Sequence, residues 1–143
     1  MKTLLFVLTI LLSMQVFAAE FKSNDDILKK LASHTVEDIK GDAKRVEAKE
    51  KLKIDEMFDD LEAAAKFIDK SEVTEDMAVE LERVCLITFL HDPTTLSADL
   101  IIKVYDRNQS VFKKAAKRLH PYDMGIILEV LRSKNEVSKN GQD

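Results

Sequence analysis

One cysteine, three glycines, two prolines and no tryptophan occur in a chain of 143 residues. With Cys85 alone, no intramolecular disulfide can form, which is unusual for a small exported scaffold and fits a bacterial periplasmic protein better than a eukaryotic secreted one. Three glycines leave almost no room for a phosphate-cradling Gly-rich loop. A basic excess is also lacking. The formal net charge is −4, which argues against nucleic acid and against an anionic membrane surface, because binders of both carry clustered positive charge. Only residues 4–12 (LLFVLTILL) form a long apolar run, and it falls well short of the roughly 20 residues that span a bilayer. No stable membrane insertion is expected. The chain has no serine elbow, no H-E-x-x-H and no paired catalytic carboxylates. Catalytic residues, cofactor and metal are therefore all expected to be none, and the protein is read as not an enzyme.

What is present begins with that apolar run. Lys2 precedes it, and Val16 and Ala18 place small residues at the −3 and −1 positions of a cleavage site. This is the layout of a secretory signal peptide over residues 1–18. No cysteine stands at the cleavage point, so a lipoprotein is not indicated. Removing the leader takes Lys2 and no acid, which makes the chain more acidic. The expected place is the periplasm, with the extracellular space as the alternative.

Beyond the leader, Ala, Leu, Glu and Lys dominate, and these form helices rather than strands. No window alternates apolar and polar residues for long enough to suggest a half-buried strand. The expected fold is all-α: a compact bundle of five or six helices, or stacked helical hairpins, with a charged N-terminal helical arm over residues 19–53. The helical core takes residues 54–134, and residues 135–143 (NEVSKNGQD) have almost no apolar content and are expected to be a disordered tail.

The helices follow from spacing and caps. Ser23 opens a short helix carrying Ile27, Leu28 and Leu31, and Thr35 with Asp38 repeats the cap signal. Val36, Ile39, Ala43 and Val46 continue at 3–4 spacing, and a strong stripe returns with Ile54, Met57, Phe58, Leu61, Ala64 and Ile68. The pattern predicts one long helix over residues 36–70, broken or frayed near Gly41. A linker followed by a core helix from Ile54 is the other reading. Ser71 or Thr74 caps the next helix, whose segment 84–90 (VCLITFL) is apolar all round. A helix apolar on every side is buried on every side, so this one is expected at the centre. Further helices are predicted over residues 97–107, 111–120 and from Pro121 to about 133, with Gly125 allowing close helix packing. An echo between residues 76–82 and 123–129 is what suggests stacked hairpins.

The chemistry-bearing residues each have a plain structural reading. His34, His91 and His120 sit at helix ends, where the helix dipole favours histidine, and no two share metal-ligand spacing. The stretch from Asp106 to Ser110 has oxygen side chains like a calcium loop, but Val111 and Lys117 stand where Gly and Glu are required. Cys85 belongs to the apolar helix and reads as core. Glu82, His91 and His120 are the scattered residues from which an enzymatic rival would be built. The densest acidic cluster is Asp55, Glu56, Asp59, Asp60 and Glu62. Its like-charged i,i+4 pairs disfavour the helix slightly, which suggests a docking surface for a protein partner with basic character. The expected function is an exported, non-enzymatic binding protein of inhibitor, immunity, adaptor or holdase type. The alternative is a small-ligand or lipid carrier with a cavity between helices.

Overall fold

The computed structural model describes residues 21–68, 72–92 and 94–140, so the expected signal peptide lies outside the described residues. Among these residues there are eight helices and no strand: α1 (Asn24–Ala32), α2 (Val36–Lys40), α3 (Asp42–Ala48), α4 (Lys53–Ile68), α5 (Glu75–His91), α6 (Leu96–Arg107), α7 (Gln109–Ala116) and α8 (Pro121–Asn140). The all-helical class matches the composition. None of the described helices is long and apolar enough to cross a membrane.

Local chemistry sets most of the helix starts. The Ser23 hydroxyl accepts from the Asp26 N–H at 3.2 Å and opens α1. Asp38 reaches back to accept from the Thr35 N–H at 2.7 Å and from its hydroxyl at 2.9 Å. Thr74 caps α5 by accepting from the Met77 N–H at 3.2 Å. Such caps typically contribute about 1 kcal/mol each, because the first-turn N–H groups have no partner inside the helix.

The stretch predicted as one long helix is three. The break at Gly41 is slight, since its backbone stays in the right-handed helical region. The second break is complete. Lys49 adopts the left-handed conformation at φ 57°, the Glu50 N–H donates to the Arg45 carbonyl at 2.9 Å, and the Lys49 N–H donates to the Val46 carbonyl at 3.2 Å. This is a Schellman ending with lysine where glycine is usual. The chain then folds back so that the Asp42 carboxylate accepts from the Lys53 N–H at 2.8 Å and the Ile54 N–H at 3.1 Å. Asp42, at the start of α3, thus caps α4. Burial raises the pKa of its carboxyl, but those two N–H groups and Arg45 outweigh it and leave the pKa lowered.

Helix α5 is the centre. It packs against α1, α4, α6, α7 and α8, and Met77, Leu81, Val84 and Cys85 are fully buried along it. Helix α1 is part of the same body: Ile27 and Leu31 are fully buried in the common core. The first helix of the expected N-terminal arm is therefore packed down, whereas residues 43–51 are exposed at every position but Arg45. Most of the arm's charges face outward, Asp42 excepted, while Ile27, Leu31 and Ile39 turn in, and fully burying one such side chain is worth about 1.5–3 kcal/mol.

Two expectations about α8 change. The helix runs on to Asn140, through residues given to a disordered tail. Its last turns carry few apolar groups but are tied across to α6 by Lys134–Asp99 at 3.0 Å and Lys139–Asp106 at 2.9 Å. Gly125 is exposed, and a Cβ added there meets nothing within 4 Å. It therefore does not mark a close helix approach.

Candidate functional site

The five acids of the predicted docking surface all lie on α4, but the helix separates them. Asp60 is buried and turned inward, with its carboxylate 2.7 Å from His34 Nε2 and 3.4 Å from Lys30 Nζ. Arg83 of α5 closes the same junction by donating to the His34 carbonyl at 2.6 Å and the Leu31 carbonyl at 2.5 Å. This junction bolts the C-terminal end of α1 to α4 and α5, satisfying carbonyls that the helix end leaves open. Asp60 is therefore structural. The other acids stay nearer the surface, and most are paired: Glu56 with Lys53 at 2.7 Å, Asp59 with Lys51 at 2.6 Å and Glu62 with Lys66 at 2.7 Å. Asp55 is exposed. Exposed pairs of this kind contribute little, about 0–1 kcal/mol each. They do reduce the negative potential that the sequence suggests.

The residues of the scattered rival do not meet. Glu82 is fully buried, whereas His91 is exposed at the far end of the same helix, roughly 13 Å along the axis at 1.5 Å per residue. His120 is exposed just ahead of α8, and its Nδ1 accepts from the Tyr122 N–H at 3.3 Å, a capping role. Cys85 is buried with its thiol 3.3 Å from the Ser97 hydroxyl, and burial pushes that thiol up to about 12. An inert core thiol follows. Asp106 ends α6 and pairs with Lys139, so the stretch that resembles a calcium loop is a helix–helix turn. Among the described residues no group of three His, Cys, Asp or Glu could hold a metal ion.

Sequence reasoning underrated Glu82. Both of its carboxylate oxygens are buried without a hydrogen-bond partner among the described residues, and burial raises the group to about 8. It is a neutral acid at neutral pH. The signal was legible: Glu82 stands four residues after Ala78 and three before Cys85, on the stripe that also holds Leu81.

Two surface features remain. At the corner between α5 and α6, Leu90 is 58% exposed and Leu96 is 45% exposed. Thr95, between them in sequence, is held in the left-handed region at φ 63°, and the Thr94 N–H donates to Asp92 at 3.0 Å. The run expected to be buried all round is thus covered only as far as Thr88, and its last turn emerges. The second feature is an open-mouthed cleft of about 330 Å³ between α6–α7 and α8. Tyr105 and Leu128 form its apolar wall, and Lys113, Arg132, Lys139 and Glu136 bring charge to it. Tyr105 packs edge-on against Phe112 with ring centroids 5.5 Å apart. Compared with protein-family models, with curated proteins and with solved structures, the chain has no match.

Proposed function

We propose that the protein is an exported, non-catalytic binding domain that acts on another protein of the bacterial envelope, as an inhibitor, immunity protein, adaptor or holdase. The observation that carries this reading is the uncovered end of the central helix. Single exposed leucines are ordinary on any surface. Here two stand on either side of one corner, and one of them ends a run that is buried through Thr88 and half-buried at Phe89. Apolar side chains held by a rigid scaffold, with charged neighbours around them, are the usual make-up of the centre of a protein interface. The outward acids of α4, Asp55 and Asp59 foremost, would favour a partner with basic character by raising its association rate more than its final affinity.

The test is affinity capture from an envelope extract. The bait is the tagged protein, compared with a Leu90→Asp/Leu96→Asp variant and an Asp55→Lys/Asp59→Lys variant. A stoichiometric protein partner, lost with the leucine pair and captured less efficiently with the lysine pair, is the expected result. Failure to capture any protein would overturn the reading. So would turnover of an envelope substrate that one point mutation abolishes.

A further inference from the structure

The cleft between α6–α7 and α8 is built from two helical stripes that face each other. On α8 they are Leu128, Arg132, Glu136 and Lys139. Opposite them stand Tyr105 and Lys113. Two of these groups are uncommitted. Tyr105 is 3% exposed, its hydroxyl makes no hydrogen bond with any described residue, and it lies in the fields of Glu82 and Asp106 as well as of Arg132 and Lys139. Its oxygen is open to solvent at the cleft and so available to a ligand. Lys113 makes no ion pair or hydrogen bond with any described residue and reaches the same space. Arg132 is held by Glu129 at 2.9 Å and by Glu136 at 3.6 Å, and Lys139 by Asp106 at 2.9 Å. These pairs are exposed and hence cheaply exchanged. Gln109 and Asn135 donate to Asp106 and steady that rim.

We propose that this cleft is a binding site for a small phosphorylated organic anion. The phosphate oxygens take Lys113, the Tyr105 hydroxyl and the Arg132 fork, and a short organic body lies against Leu128. A dianion is required because Arg132 is already engaged by carboxylates. A singly charged carboxylate would only exchange one such partner for another, whereas a phosphate brings more charge and three acceptor oxygens to a bidentate donor. Glu136 opposes binding, so Arg132 must leave it while keeping Glu129. The cleft volume suits a ligand at the small end of the usual range. The inference goes beyond the protein-binding reading and stands whether or not that reading holds.

Amide chemical-shift titration of the purified protein tests it, with phenyl phosphate as the probe and benzoate as the monoanion control. Phenyl phosphate should saturate, with shifts centred on Gln109, Lys113 and Asn135, and benzoate should bind more weakly. Tyr105→Phe, which removes one unpartnered hydroxyl and leaves the ring packing intact, should weaken binding about tenfold, and Lys113→Gln by a similar factor. Glu136→Gln should tighten it. Lys117→Gln, an exposed cation that does not line the cleft, should leave it unchanged. Two further arms separate the sources of the phosphate. Cosedimentation with phosphatidic acid vesicles that Lys113→Gln abolishes would assign a lipid headgroup. Saturable phenyl phosphate binding without vesicle binding would assign a soluble ester. The proposal is overturned if no saturable binding occurs in either arm. It is also overturned if Tyr105→Phe and Lys113→Gln bind like the parent, or if Lys117→Gln weakens binding as much as they do.

Discussion

Glu82 shows how one side chain can set a pH dependence. Its carboxyl holds a proton up to about pH 8 when folded, because burial penalises the charge, against an ordinary value of 4.5. The unfolded chain releases that proton near pH 4.5, so between the two values the native state binds more protons than the unfolded one. This contribution to stability is greatest below pH 4.5, falls as pH rises towards 8 and is flat beyond. The full swing is on the order of 5 kcal/mol at 1.36 kcal/mol per pKa unit. Glu82→Met, similar in volume and free of charge, should therefore stabilise the protein by an amount that grows from pH 4.5 to pH 8.5. Urea unfolding of parent and variant at both pH values measures it, and an equal gain at both would show that Glu82 does not hold its proton by burial. Gly125 gives a second prediction at this scale. It lies on an exposed face of α8 with open space around it. Gly125→Ala should raise stability by about 0.5–1 kcal/mol, because alanine loses less backbone freedom on entering a helix, and the same denaturation experiment reads it.

Among the elements, the segment between α2 and α4 depends on a single carboxylate. Asp42 accepts from the Lys53 and Ile54 N–H groups and from Arg45 Nη1 at 3.0 Å. It therefore closes the loop that the left-handed Lys49 opens. Asp42→Ala should cost about 1–2 kcal/mol, the loss expected for a cap that leaves two part-buried donors without it. Amide exchange should quicken first at Lys53 and Ile54, and exchange that stays as slow there as in the parent would mean that water or another group replaces the carboxylate. The last turns of α8 make a contrast. They carry almost no apolar residues and meet α6 through the exposed pairs Lys134–Asp99 and Lys139–Asp106, each worth only about 0–1 kcal/mol. That extension creates one wall of the cleft.

For the molecule as a whole, the core is one cluster that runs from Ile27 in α1 to Leu131 in α8, with α5 through its middle. Leu31→Ala should cost about 2–5 kcal/mol, the range for removing a buried leucine, and the unfolding transition should remain single. A small loss, or a separate early transition for the N-terminal helices, would mean that α1 is an appendage and not part of the body. Much of this architecture was legible beforehand. The scarcity of glycine and proline, together with the 3–4 spacing of Ile54, Met57, Leu61 and Ile68, specifies helices, and the all-round apolar run specifies which helix is central. Those are local properties, fixed by backbone preference and by the period of one face. The sequence by itself could not show that residues 36–70 would break at Lys49, since the break is held by Asp42 accepting from residues eleven and twelve positions away. Nor could it show which acid of α4 would turn inward to His34, or that Tyr105, Lys113 and Arg132 would border one cleft. Those outcomes depend on which helix faces meet, and in water the choice among many polar pairings is decided by the apolar packing that first brings the helices together.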